Sequence, residues 1–284
     1  MEYIYGNPDK THLWENVVSI FAATHSLHSE TTSSLPLVQF WRASGKTFEG
    51  KQLNPDAQEL LEKCLGEKGT DKVDQLCFEY PVPVHRACGG RGKASMTDLM
   101  IITSFYAIAL EAKYTEYLSG KQESISQWLK DPKDGTILGN RKNVLQGWLN
   151  YISKKGCSDI SQIEEVLEKL NDVQYQLFHR IASACAAAKE PTRKPVVIYQ
   201  VFCDEQEEAK AKARIFAEQL KGDFDVLTKQ LGLKNISFYV VITPVTNKPG
   251  PGTSKDDLGQ LFLRMLEKNN GDIFKFGKTV KVTK

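Results

Sequence analysis

The apolar residues of this chain fall into two kinds of pattern, one at helical spacing and one in short alternating or continuous runs. Trp14, Val17, Val18, Ile20 and Phe21 give residues 8–27 an apolar side, which predicts a helix. Residues 28–34 are polar and loop-like. Asn54-Pro55-Asp56 then opens a second helix, with Leu60, Leu61, Cys64 and Leu65 as its stripe. Proline suits that first turn because its missing N–H had no partner there. Three strands are predicted next, at 75–84, 97–103 and 105–113. The first ends in Pro81-Val82-Pro83, and only a short turn near Ser104 separates the other two. They should therefore pair as a tight hairpin.

Residues 119–172 are more polar, with short helices expected around 143–152 and 161–170, and they read as an insertion. A longer helix at 172–188 should stop before Pro191, whose ring cannot continue it. Val196, Val197, Ile198, Tyr199, Val201 and Phe202 form a nearly unbroken apolar run, as in a strand buried on both faces. A charged helix at 205–221 and an apolar strand at 236–245 complete a crossover unit for a parallel pair. The fold class expected is α/β, a mixed central β-sheet flanked by helices.

Composition changes this picture little. The 284 residues carry 41% apolar and 25% charged side chains and a net charge of +2, so no global basic field points to a nucleic-acid partner. A local groove would suffice for one. Cysteines stand at 64, 77, 88, 157, 185 and 203 without CxxC spacing, which reads as reduced thiols in a cytoplasmic protein. Cys185, amid alanines, reads as core. His85 and Cys88 lack a second pair of zinc ligands. No signal peptide is visible at Met1, and the most apolar stretch, 99–110, is too short to span a bilayer. No membrane role is expected.

The chemistry is concentrated in Asp98-Leu99-Met100-Ile101-Ile102 and Ile108-Ala109-Leu110-Glu111-Ala112-Lys113. Burying a charge in a hydrophobic strand is costly unless the charge is paired or binds metal. In a tight hairpin the start of one strand lies beside the end of the next, so Asp98 should meet Glu111 and Lys113. The last two, being two residues apart, share a face, while Ala112 points the other way with Leu110 and Ile108. Two hard carboxylate ligands suit Mg²⁺ when phosphate and water complete its shell. A lysine beside them can orient the attacking water or stabilise phosphate charge. On the 172–188 helix, Gln176, His179, Arg180 and Ser183 form one polar stripe, opposite Val173, Leu177, Ile181 and Ala184. Such a face, with neither Glu nor Lys, suggests close packing near a functional surface. The glycine-rich loop with Arg91 and Lys93 leaves its backbone free to approach a phosphate chain.

Asp98, twelve intervening residues, then Glu111-Ala112-Lys113 resembles the signature of the PD-(D/E)xK, restriction-endonuclease-like nucleases, with Thr97 where the name has proline. The resemblance spans roughly residues 55–245. It implies a core of helix, three-strand meander, helix and strand in a single nuclease-like domain over 1–284, with an N-terminal helical extension at 1–54 and a helical insertion at 119–172. It implies Mg²⁺ or Mn²⁺ held by Asp98 and Glu111, with Lys113 assisting hydrolysis. Gln176 would position water, and Arg180 and His179, with Arg91 and Lys93, would contact nucleic acid. An extra acid from the helix before the meander is implied, with Glu59 preferred over Glu62. DNA is the expected partner, and homodimerisation is expected by analogy with nucleases that cut both strands. Two other readings stay open: a non-catalytic nucleic-acid- or protein-binding module on the same fold, and a metal-dependent hydrolase of a small phosphorylated substrate. No GxSxG, HExxH, EF-hand or Walker-type pattern competes.

Overall fold

A computed structural model describes residues 2–5, 33–41, 53–66, 73–83, 95–119, 123–247 and 272–282, together with Ser254, Asp257 and Gln260. The helix expected at 8–27 lies outside these residues, as do Arg91, Lys93, His85 and Cys88.

The chain begins with strand β1 (Glu2–Tyr5), then helix α1 (Ser34–Trp41) and helix α2 (Pro55–Leu65). Helix α2 starts where the sequence placed it: the Asp56 N–H donates to Asn54 Oδ1, and Pro55 occupies the first turn. Strands β2 (Val73–Val82), β3 (Ser95–Thr103) and β4 (Tyr106–Lys113) form an antiparallel meander. Thr103 Oγ1 accepts from the backbone N–H groups of Phe105 and Tyr106 and so closes the β3–β4 turn. Helices α3 (Ile125–Leu129), α4 (Gly139–Lys154) and α5 (Tyr175–Ala187) follow. The chain then runs through strand β5 (Lys194–Asp204), helix α6 (Glu207–Leu231) and strand β6 (Ser237–Asn247), and ends in the short strands β7 (Lys275–Phe276) and β8 (Val280–Lys281).

The strands form one mixed sheet in the order β1-β2-β3-β4-β5-β6-β7, with β8 also on β6. Strands β4, β5 and β6 run parallel, and β1 runs parallel to β2. The β1 pairing covers Gln75–Phe78 of β2 and stops short of its Pro81-Val82 end. Helix α1, β1, β7 and β8 were not foreseen. The region expected as a helix at 161–170 forms only two 3-10 turns, Ile163–Glu165 and Leu167–Leu170. The charged helix runs ten residues beyond the expected 221, to Leu231, where Gly232 ends it in the left-handed region at φ 58°. Glycine adopts that conformation without a Cβ penalty.

Side chains alternate between two cores. Leu76, Phe78, Leu99, Ile101, Ile108, Leu110 and Ile198 face α1 and α2, while Met100, Ala107, Ala109, Val197 and Val201 face α4, α5 and α6. Strand β5 is buried on both faces, as its unbroken apolar run required. Its one polar interior residue, Gln200, accepts from Trp41 Nε1 at 2.8 Å and donates to Thr243 Oγ1. The described part of 119–172 has its own small apolar centre, continuous with the core under the sheet. Trp128 stacks on Trp148 and Tyr175 with ring centroids 5.4 and 5.3 Å apart, and the Arg141 guanidinium lies over Trp128. Among the described residues no helix is long and apolar enough to cross a membrane. Cys64, Cys77, Cys157, Cys185 and Cys203 are buried.

Candidate active site

Strand register gathers the acids. Leu99 pairs with Leu110, so one step further Asp98 faces Glu111. Phe78 pairs with Leu99 and Tyr80 with Thr97, which sets Glu79 opposite Asp98. Glu111 in turn pairs with Tyr199 of β5. Glu79, Asp98, Glu111 and Tyr199 thus form one row across four strands, on the face covered by α5. Lys113 stands two residues beyond Glu111 on that face.

Helix α5 supplies the other half of the site. It is buried nearly all round, and Ala182, Ser183 and Ala184 let it approach the sheet closely. From it Arg180 places Nε and Nη2 on Glu111 Oε2, with Nη2 also 3.7 Å from Asp98 Oδ1. Lys113 Nζ donates to Glu111 Oε1 at 2.7 Å and to Gln176 Oε1 at 2.9 Å. Asp98 Oδ2 accepts the backbone N–H of Ala112 at 2.8 Å. The remaining side of the guanidinium is bonded to His179 Nδ1. Arginine only donates, so Nδ1 accepts, and the proton on Nε2 is donated to Ser183 Oγ at 3.0 Å.

Glu111, Lys113 and Arg180 are 2%, 6% and 4% exposed, whereas the Asp98 side chain keeps 25% and forms the open side of the cluster. Burial pushes Glu111 upward, but the charges of Arg180 and Lys113 outweigh it and hold its carboxyl below the usual range. Burial and the Glu111 charge raise Asp98 well above the usual range. Glu79 is pushed up to about 7 by burial, with Arg180 opposing and Glu111 adding. Burial, then Arg180, drives His179 well below 6.5, so it is neutral. Three carboxylates thus face two fixed cations, and the excess negative charge calls for a proton or a further cation.

The structure brings Asp98, Glu111, Lys113, Gln176, Arg180 and His179 together. It corrects the expected roles of the last two. Both are buried, and Arg180 is committed to carboxylates, so neither presents a surface to nucleic acid in this arrangement. Glu59 is also corrected. It is exposed on α2, against the opposite face of the sheet, and ion-pairs with Lys63 at 2.7 Å. Glu62 accepts from Gln58 on the same helix. The reason is the stripe Ala57, Leu60, Leu61 and Cys64, which turns α2 toward the core opposite the acid row.

Sequence reasoning missed Glu79 and Tyr199. The signal for Glu79 was present: it is an ionisable residue inside an apolar strand, the same anomaly that marked Asp98. Its φ of 49° is unusual for a residue with a long side chain and is a local strain of the kind that gathers at functional sites. Tyr199 is fully buried, and its hydroxyl has no hydrogen-bond partner among the described residues.

For a divalent ion the donor chemistry fits: hard oxygens on adjacent strands, with an excess of negative charge. Among the described residues there is no ready-made group of three or more His, Cys, Asp or Glu ligands. Both Glu111 oxygens already accept from cations, so an ion held by Asp98 and Glu111 would take over contacts that Arg180 makes.

A family model described as a domain of unknown function (DUF6946) matches residues 10–246. The chain belongs to the DUF6946 family. The stretch shared with DUF6946 contains the acid row, Lys113 and the whole of α5, and stops before β7 and β8. No curated protein and no solved structure matches the chain.

Proposed function

We propose that this protein is a metal-dependent phosphodiesterase that cleaves DNA, built on a restriction-endonuclease-like core. The observation that carries the reading is the facing of Asp98 and Glu111 across β3 and β4, with Lys113 on the same face and Gln176 bonded to it. The element order α2, β2, β3, β4, α5, β5 supports it, being helix, three-strand meander, helix and strand with the crossover to a parallel strand. DNA as the substrate rests on the resemblance to PD-(D/E)xK nucleases.

Asp98 and Glu111 would hold Mg²⁺ or Mn²⁺, which would polarise a phosphoryl oxygen and make bound water more acidic. Lys113 keeps its charge, because Glu111 and Asp98 outweigh the burial that would lower it. It therefore acts as a donor toward the phosphate or the attacking water, and not as a base. Gln176 fixes the direction of that donor. Asp98, on the open side, is the carboxylate nearest to an entering substrate.

A second reading has its own support. The saturation of Glu111 by Lys113 and Arg180 also suits a charge-paired core in a non-catalytic binding module. The test is cleavage of plasmid and single-stranded DNA with Mg²⁺ or Mn²⁺ and with EDTA, beside Asp98→Ala and Lys113→Ala. Metal-dependent cutting lost in both variants supports the nuclease. Folded wild-type protein that neither binds metal nor differs from the variants would leave the binding module.

A further inference from the structure

We propose that Arg180 holds the place of the divalent cation: its guanidinium keeps Asp98 and Glu111 together until a metal ion displaces it. The inference rests on the nuclease reading of the same site and deepens it. Its first ground is position. The Arg180 guanidinium is bonded to Glu111 Oε2 and reaches Asp98 Oδ1 at 3.7 Å, so it lies between the two carboxylates that would share the metal. Two like charges facing each other on adjacent strands repel, and the guanidinium between them offsets that repulsion.

The second ground is the way Arg180 is held from behind. His179 accepts from the guanidinium and is itself bonded to Ser183 Oγ. Every N–H of a buried guanidinium needs an acceptor, and this one does not depend on the carboxylates. A guanidinium that gives up its carboxylates does need a remaining acceptor, and the neutral His179 ring supplies one inside the helix layer. The third ground is asymmetry. Lys113 bonds Glu111 Oε1 and Arg180 bonds Oε2, so Lys113 stays in place while Arg180 and the metal compete for Oε2 and Asp98.

A ligand that binds only the fraction of molecules with the site free has its affinity reduced by that fraction. Weakening the hold of Arg180 should therefore tighten metal binding. The experiment is titration of the full-length protein with Mn²⁺ alone, followed by isothermal calorimetry and by the Mn²⁺ paramagnetic resonance signal. Wild type is compared with Arg180→Gln, Arg180→Lys and Asp98→Asn. Arg180→Lys keeps the charge but loses the forked geometry, and it serves if Arg180→Gln does not fold without metal. The result expected is Mn²⁺ binding at least about tenfold tighter in the Arg180 variants than in wild type, and lost in Asp98→Asn. Mn²⁺ should also raise the melting temperature of the Arg180 variants more than that of wild type, since the ion then replaces a missing charge. Wild type that binds Mn²⁺ with Arg180→Lys equal or weaker would overturn the displacement and leave the nuclease reading standing. No Mn²⁺ bound by any folded variant would overturn both.

Discussion

Gln176 Oε1 accepts a hydrogen bond from Lys113 Nζ at 2.9 Å, joining the end of β4 to the first turn of α5 across 63 residues of chain. The same ammonium is bonded to Glu111, so the amide decides where the charge points and not whether it exists. Gln176→Leu should lower the stability of the protein by about 1 kcal/mol. Under the nuclease reading proposed above, it should lower kcat for DNA cleavage roughly tenfold, the equivalent of about 1.4 kcal/mol. In a Lys113→Ala background the same change should have little further effect on kcat. Additive losses in that double-mutant cycle would separate Gln176 from Lys113.

Glu111→Gln should be severe. It leaves Arg180 and Lys113 buried beside a neutral amide, and breaking such a cluster costs about 3–5 kcal/mol, measurable by urea unfolding near neutral pH. The carboxyl is held below its ordinary value of 4.5. Its contribution is therefore full above about pH 4.5 and is lost as pH falls through the lowered value, when the folded state takes up the proton. The gap between wild type and Glu111→Gln should narrow only below that point.

Glu79 carries the opposite sign. Its carboxyl is raised to about 7, so the unfolded chain ionises first as pH rises. Folding is progressively disfavoured from about pH 4.5 to about pH 7, with no further loss above. Glu79→Gln should therefore be more stable than wild type at pH 8, on the order of 1–3 kcal/mol, and equal to it at low pH. Melting curves across pH would decide; a variant less stable at pH 8 would show that the carboxylate is satisfied where it stands.

His179 should not titrate in the range where free histidine does, because burial and Arg180 keep it neutral. Nitrogen chemical shifts should show protonated Nε2 and bare Nδ1 unchanged between about pH 5 and 8. An imidazolium signal appearing in that range would mean that Arg180 does not contact the ring.

One residue beyond Tyr199, where the side chain turns to the opposite face of the sheet, Gln200→Leu should leave Trp41 Nε1 buried without an acceptor. The unmet donor should cost about 1–3 kcal/mol. Loosening of α1 would then register as increased tryptophan solvent exposure, while metal binding stays as in wild type.

The linear order of hydrophobic patterns determined much of this protein. It set the helix opening at Asn54-Pro55, the β3–β4 hairpin, the doubly buried strand over 195–202 and the parallel crossover after it. It also marked Asp98, Glu111 and Lys113, because a charge inside an apolar strand stands out wherever the strand sits. The polar stripe of α5 was legible for the same reason. The sequence could not say which face of the sheet each helix covers. That depends on crossover geometry and packing over long separations, and it turned Glu59 away from the site while directing Arg180 into it. Nor could it supply strand register. Register alone sets Glu79 opposite Asp98 and Tyr199 beside Glu111, since a shift of one residue would send each of these side chains to the other face. Residue types along the chain thus determined that buried charges had to be matched. Only the tertiary structure decided that Arg180, and not solvent or a second helix, matches them, because the partners of a buried charge are fixed by whatever the folded layers bring within reach.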